Sequence, residues 1–176
     1  MTLCWLTPVF ADYNVMFGNK INSVTLYMAQ SVNYGSLLKL IQPGLWDFMP
    51  QTLLIAQYSQ PIKFFRLDSR LNLSAVQNIA YNSSKDLSFF GMGISIDTAI
   101  LQYNGFYVGA GIGPYMRDNN DRWVSSKLVF GEKVFIGKNI SDNWYAEFYT
   151  IHFSNGDFTP INKGFNFFGF GAGYRF

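Results

Sequence analysis

The sequence is short of several residue types, and each shortage excludes a class of protein. It has one cysteine, Cys4, so an intramolecular disulfide and a cysteine-based metal cluster are excluded. Charged residues make up 14% of the chain, the net charge is +2 and there is no basic patch, which argues against a nucleic-acid partner. No apolar run reaches the roughly 18 residues that a membrane-spanning helix needs. A helical membrane protein is therefore excluded as well.

The chain is instead rich in dispersed apolar residues, aromatics and glycine. Its 176 residues, most consistent with one domain, are 49% hydrophobic and include 18 Phe, 11 Tyr and 16 Gly. The last eleven residues show the pattern most clearly, because Phe168, Phe170 and Phe176 share one parity while glycines and Arg175 share the other. Since side chains alternate across a strand, one face is aromatic and the other is small or charged.

Eight segments carry this strand pattern, separated by turn-rich breaks. They are residues 24–34, 51–59, 64–76, 87–96, 105–116, 124–136, 144–154 and 166–176. Apolar side chains outside with glycines and charges inside predict an all-β fold, an eight-stranded antiparallel transmembrane β-barrel of the outer membrane. A soluble lipocalin-like barrel would have the inverse parity. We assign residues 12–176 to this single domain and residues 1–11 to a probable signal-peptide remnant.

The charged residues of the strands are expected to point into the barrel. Arg70 shares its parity with Asn72, opposite the apolar Leu71. Glu132 and Glu147 are interpreted as interior partners of inward Arg or Lys, because such ion pairs are common in the lumen of small barrels. A bulge is expected at residues 131–132, where the alternation of the sixth strand breaks.

Polar residues on the outward parity form the candidate site. With both termini in the periplasm, His152 and Ser154 lie at the outer end of the seventh strand, and Asn166 lies at the outer start of the eighth. Histidine is the base suited to activating a serine hydroxyl near neutral pH. Asn166 is the candidate for holding the imidazole tautomer, with Asp157 as the alternative third member.

The loop between these strands offers donors for an oxyanion. Asn155, Gly156 and Asn162 are the candidates, through a side chain or a backbone N–H. No metal ligands are assigned and no cofactor is expected. A His-x-Ser motif alone is more often a structural coincidence than an active site, so its weight comes from the lipid-facing position.

The C-terminal part of the chain resembles the PagL-type lipid A 3-O-deacylases. The resemblance rests on three stretches, His152-Phe-Ser-Asn-Gly156, Pro160-Ile-Asn-Lys-Gly164 and Phe167-Phe-Gly-Phe-Gly-Ala-Gly-Tyr-Arg-Phe176, with weaker likeness back to about residue 105. It implies an eight-stranded outer-membrane barrel whose Ser-His-acid triad removes the ester-linked acyl chain at the 3-position of lipid A without a metal. It assigns Ser154 as nucleophile and His152 as base. The best-known members carry glutamate where this chain has Asn166.

The resemblance and the parity pattern lead to one expected function and one alternative. The first is an outer-membrane serine esterase that remodels lipopolysaccharide in the outer leaflet of a Gram-negative cell, with a homodimer left open. The alternative is a non-catalytic small outer-membrane barrel with an adhesion or envelope-structural role in loops such as 117–122, or an inactive deacylase homologue.

Overall fold

Residues 21–32 and 46–176 are described by the computed structural model, and they form a closed barrel of eight antiparallel strands. The strands are β1 (Ser23–Val32), β2 (Phe48–Phe64), β3 (Leu67–Ala80), β4 (Phe89–Tyr103), β5 (Phe106–Arg117), β6 (Leu128–Asn139), β7 (Trp144–Ser154) and β8 (Phe165–Arg175). A short 3₁₀ helix, Asn82–Leu87, links β3 and β4. The predicted fold class is confirmed. The assignment of residues 1–11 lies outside the described residues.

The outer face of the barrel is apolar along its strands. Leu26 on β1 is 65% exposed, Ile112 on β5 is 59% exposed and Phe148 on β7 is 60% exposed. Each lies between less exposed neighbours, as the period of a strand requires. An apolar outer band around a closed barrel is the surface that lipid covers. No helix among the described residues is long and apolar enough to cross a membrane.

Inward-facing glycines make room for tyrosine rings. A Cβ at Gly93 would fall 2.1 Å from a ring carbon of Tyr115, and one at Gly137 would fall 2.1 Å from the ring of Tyr107. These rings lie flat over the glycines of neighbouring strands, and both tyrosines are buried. The narrow interior therefore needs glycine where a large side chain from the next strand must pass.

A group of ion pairs crosses the middle of the interior, and we call it the lumen cluster. It consists of Tyr27, Arg70, Asp97, Lys133 and Glu147, all buried. The Arg70 guanidinium lies 2.8 Å from Asp97 Oδ2 and 2.8 Å from Glu147 Oε1. The Lys133 ammonium lies 2.5 Å from Asp97 Oδ2, and the Tyr27 hydroxyl donates to Glu147 Oε2 at 2.6 Å. The inward positions of Arg70 and Glu147 agree with the sequence pattern.

Most strands differ from their expected bounds by at least one residue, and β2 and β6 show two reasons. β2 continues through Pro61 to Phe64. The proline is tolerated there because the pairing of β2 with β1 ends at Ser59, so no β1 residue lies opposite the position where proline lacks an N–H. β6 begins only at Leu128, and its pairing with β5 and β7 runs without a register shift. The bulge expected at residues 131–132 is therefore absent, and every later side chain of β6 keeps its parity.

The two ends of the barrel differ in the length of their connections. Turns of residues 65–66, 104–105 and 140–143 join strands at one end, whereas connections of residues 81–88, 118–127 and 155–164 lie at the other. Long connections are extracellular in outer-membrane barrels. The ends of β7 and β8 that flank residues 155–164 therefore lie on the outer side, as expected.

Candidate active site

His152 and Asn166 face each other across the outer ends of β7 and β8. They are directly paired in the register, and His152 Nδ1 lies 2.6 Å from Asn166 Oδ1. An amide oxygen only accepts hydrogen bonds, so Nδ1–H is the donor, and in the neutral ring this leaves Nε2 unprotonated. That tautomer is the one able to take a proton from a hydroxyl. The structure thus brings His152 and Asn166, two of the three predicted catalytic residues, into direct contact.

Ser154 follows on the same face of β7, two residues nearer the outer end. It pairs with Phe130 on β6, whereas His152 pairs with Glu132. Outward parity makes these positions lipid-facing, yet Ser154 is 8% exposed and His152 is 6% exposed. The two side chains therefore lie in a covered pocket of the outer face and not on open surface. A covered position lowers the competition of water with the hydrogen bonds of the site.

Gly164 lies against the edge of the imidazole. Its φ is +70°, and a Cβ there would fall 2.5 Å from His152 Cε1 and 3.3 Å from Nε2. The last residue pair of β7 and β8 is Phe153 with Phe165, so Gly164 lies level with Ser154. The ring thus leans towards the level of the serine, and only glycine leaves space for it there.

The connection after Ser154 is a tight turn held by its own side chains. Gly156 and Asp157 have φ of 63° and 60°, and the Phe158 N–H donates to Asn155 O at 3.3 Å. The Asn155 N–H donates to Asn162 Oδ1 at 3.0 Å, and the Asp157 N–H donates to Asn155 Oδ1 at 3.0 Å. Between them, the backbone N–H of Gly156 has no partner among the described residues. Of the predicted oxyanion donors, Gly156 is the open one.

Asp157 does not take part in the histidine contact. Its carboxylate accepts from Asn162 Nδ2 at 2.8 Å, and the residue is exposed at the tip of the loop. Asn155 and Asn162 likewise bind within the loop, since Asn155 Nδ2 donates to Ile161 O at 3.1 Å. The geometry therefore joins Asn166 to His152 and assigns Asp157 to the loop.

A second loop braces this one. Val124 forms an isolated bridge with Asn162, and the Ser125 N–H donates to Ile161 O at 3.0 Å. The Lys163 N–H donates to Trp123 O at 2.7 Å. The connection between β5 and β6 thus fixes the far side of the turn that carries Gly156. Cross-bracing of this kind holds donors in place before a substrate arrives.

Glu132 does not lie in the interior, and this corrects the expectation for that residue. It is half-buried on the outward face of β6, directly paired with His152, while its neighbours Gly131 and Lys133 are buried inward. The expected bulge would have reversed its parity, and the regular register prevents that. Glu132, His152 and Asn166 therefore form one row across three strands, which we call the outer row. Its outward apolar neighbours Phe130 and Val134 were the sequence signal for this position.

The fold is shared with several outer-membrane proteins of known structure. The crystal structure of the outer membrane enzyme PagL superposes with a TM-score of 0.54 at 11% identity, covering 86% of this chain and 97% of that one. The N-terminal β-barrel domain of Pseudomonas aeruginosa OprF gives a TM-score of 0.53 at 14% identity, covering 88% and 97%. Neisserial surface protein A (NspA) gives 0.54 at 12% identity, also covering 88% and 97%.

These identities show the fold alone, and the family assignment rests on the sequence. No curated protein sequence matches the chain at a significant level. A family model, lipid A 3-O-deacylase (PagL), matches residues 54–175, which contain most of β2, all of β3 to β8 and the whole outer row. The chain belongs to the lipid A 3-O-deacylase (PagL) family, and it is an outer-membrane β-barrel of a Gram-negative bacterium.

Proposed function

We propose that the chain is a serine esterase that removes the acyl chain ester-linked at the 3-position of lipid A. The observation that carries the proposal is the hydrogen bond from His152 Nδ1 to Asn166 Oδ1 at 2.6 Å. It fixes the tautomer of a base that shares a covered, outward-facing position with Ser154. The membership of the lipid A 3-O-deacylase family supplies the substrate class.

The reaction follows from the chemistry of these two side chains. Ser154 Oγ attacks the ester carbonyl while His152 Nε2 takes the hydroxyl proton. The bond between the carbonyl carbon and the 3-oxygen of the sugar then breaks, and the imidazolium returns the proton to that oxygen, which leaves as the 3-hydroxyl. Water, deprotonated by His152, hydrolyses the acyl-serine and releases the fatty acid. Each half-reaction leaves the protein in its starting protonation state.

The developing oxyanion needs donors that are in place beforehand. The Gly156 N–H is open, and the bonds within residues 155–162 and to the β5–β6 connection hold it in position. Removing one such donor typically costs about 10²–10³ in kcat. Gly156 is therefore our proposed oxyanion donor, with Asn155 and Asn162 as the residues that shape its turn.

The substrate reaches the site from the membrane itself. Phe148 and Phe170 are exposed on the outward faces of β7 and β8, below His152. They offer the acyl chains an apolar surface while the sugar stays at the level of Gly164. The comparisons give no support to a homodimer, so the proposed unit is the single barrel in the outer leaflet.

Mass spectrometry of lipid A tests the proposal. Cells that produce the protein should lose the mass of one acyl chain from lipid A, and cells that produce Ser154→Ala should not. Thr150→Ala is the matched control, because Thr150 lies on the same face of β7 and outside the proposed machinery. An unchanged spectrum with the folded native barrel in the outer membrane would refute the proposed activity.

One observation favours a second reading, that of an inactive homologue or a structural barrel. The third position holds an amide, and an amide orients histidine without stabilising imidazolium. Asn166→Glu distinguishes the readings. A gain of hydrolysis in a chain that is inactive at the start would identify a disabled enzyme, whereas persistent inactivity would favour an adhesion or envelope-structural role.

A further inference from the structure

Glu132 is a carboxylate on a membrane-facing strand surface with an unusual lack of partners. Among the residues that the structure describes, no hydrogen bond or ion pair reaches its side chain. The adjacent Lys133 points inward and binds Asp97 at 2.5 Å, so it does not neutralise Glu132. Charged groups at membrane depth are costly and usually have a function. The residue therefore needs an explanation other than the ion pairing seen in the interior.

The register shows which group the carboxylate can influence. Glu132 pairs with Ile112 on β5 and with His152 on β7, and its outward neighbours on its own strand are Phe130 and Val134. His152 is the titratable side chain among these four. Directly opposed residues of an antiparallel pair have Cβ atoms about 4.5–5.5 Å apart. Glu132 and His152 thus lie side by side on one face, although no ion pair joins the two side chains in this structure.

The third member of a serine triad has two tasks, which are to orient the histidine and to stabilise the imidazolium. Asn166 performs the first through its oxygen at 2.6 Å from Nδ1. Because its side chain is neutral, Asn166 contributes no charge to the stabilisation of the imidazolium. The outer row thus contains an orienting amide on one side of His152 and a carboxylate on the other.

We propose that Glu132 supplies the negative charge that the triad position of Asn166 lacks, so that the tasks of one acid are divided between β6 and β8. This inference rests on the proposed esterase function. Glu132 acts through His152 and does not contact the reacting ester. When Ser154 transfers its proton, the new imidazolium forms opposite a carboxylate in a half-buried, low-dielectric position, where attraction is stronger than in water.

Steady-state kinetics on the full-length barrel in mixed micelles of lipid A test the inference. Glu132→Gln should lower kcat by roughly 10- to 100-fold with KM nearly unchanged, as expected for the loss of a charge at this separation. Adding Asn166→Glu to that variant should restore most of the rate, because the charge returns at the other side of the ring. Val134→Gln is the control, since it places the same amide on the same face of β6 two residues away.

Three results would overturn the inference. A loss that appears only in KM, or only with acyl chains that carry a hydroxyl, would make Glu132 a substrate contact. A kcat that stays low after Asn166→Glu would remove the charge as the explanation. Wild-type rates in Glu132→Gln, with Ser154→Ala inactive, would refute the inference and leave the esterase function standing.

A lipid-independent probe separates this inference from the proposed function. Labelling of Ser154 by a fluorophosphonate requires an activated serine and no lipid A. We expect slower labelling in Glu132→Gln and recovery in the double variant, even if lipid A proves not to be the substrate. If wild-type Ser154 does not label, or labels at the rate of the Glu132→Gln variant, the inference fails.

Discussion

The lumen cluster and the outer row contain similar side chains in opposite circumstances. In the lumen cluster each charged side chain lies within 2.8 Å of an opposite charge, and two cations balance two carboxylates. In the outer row one neutral hydrogen bond joins His152 to Asn166, and Glu132 has no partner among the described residues. A network of paired charges stabilises a fold, whereas groups without an opposite charge beside them are available for chemistry.

Removing the base, His152, should have the largest effect on activity. It should show that the outer row serves catalysis and the lumen cluster does not. We expect His152→Ala to lower the rate of ester cleavage by about 10⁴-fold or more, because serine without its base is a poor nucleophile. The barrel should still fold, because the side chain lies outside the lumen cluster and its one hydrogen bond among the described residues is the one to Asn166. Hydrolysis of lipid A by purified protein measures the rate, and residual activity above one-hundredth of wild type would contradict the assignment.

A substitution in the lumen cluster should change the stability of the barrel and leave its activity intact. We expect Glu147→Gln to lower the free energy of unfolding by about 3 kcal/mol, because Arg70 is left with an incomplete set of charges in a buried position. Hydrolysis by the folded fraction should stay near the wild-type rate. Urea unfolding in lipid vesicles, followed by tryptophan fluorescence, measures the change.

The same change from glutamate to glutamine at Glu132, on the outer face, is the comparison for Glu147→Gln. Glu132→Gln should leave the unfolding free energy unchanged within about 0.5 kcal/mol, as surface substitutions commonly do. If both variants lost equal stability, the contrast between lumen and outer row would be wrong.

A smaller effect on activity is expected at Gly164, where the absence of a side chain leaves space for the imidazole. Gly164→Ala should lower activity by about 10²-fold, because the new Cβ would lie 2.5 Å from His152 Cε1 and must displace the ring. Gly105→Ala is a close control. Its φ is +75° and its nearest atom is 3.6 Å away, at the opposite end of the barrel. Equal losses in both would indicate backbone strain instead of ring displacement.

The smallest change in activity is expected at Asp157, the alternative candidate for the third member of the triad. Asp157→Asn should alter activity by less than about twofold, because its carboxylate contacts Asn162 in the loop and not His152. The substitution keeps an acceptor for that contact. A loss of tenfold or more in the lipid A assay would show that Asp157 reaches the histidine during turnover, and it would reverse the roles assigned to Asp157 and Asn166.

The accuracy of the sequence-based prediction varied from strand to strand for physical reasons. β7 was predicted over its observed span, since it contains no glycine or proline and turn-forming residues precede and follow it. The end of β2 was placed too early, at Ser59, whereas the strand continues through Pro61, where no β1 residue lies opposite the proline. The start of β6 was placed at Val124, which forms only an isolated bridge with Asn162.

The same limits apply to the candidate site. The outward positions of His152, Ser154 and Asn166 were predictable because all three keep the parity of apolar neighbours on the last two strands. Glu132 was assigned to the interior because ion pairs are common in the lumen of small barrels, although it shares the parity of the outward Phe130 and Val134. A bulge was also expected beside it. A bulge depends on how two strands pair, and a single strand carries no record of its partner.

The sequence by itself determined which side chains face lipid and which face the lumen, because the two-residue period of a strand is a local property. The tertiary structure alone decided which residues meet across strands. Register is set by all eight strands closing together, and a shift of one residue would move Glu132 away from His152. It likewise decided that Asn166, and not Asp157, reaches the imidazole, because that contact depends on how β8 aligns with β7.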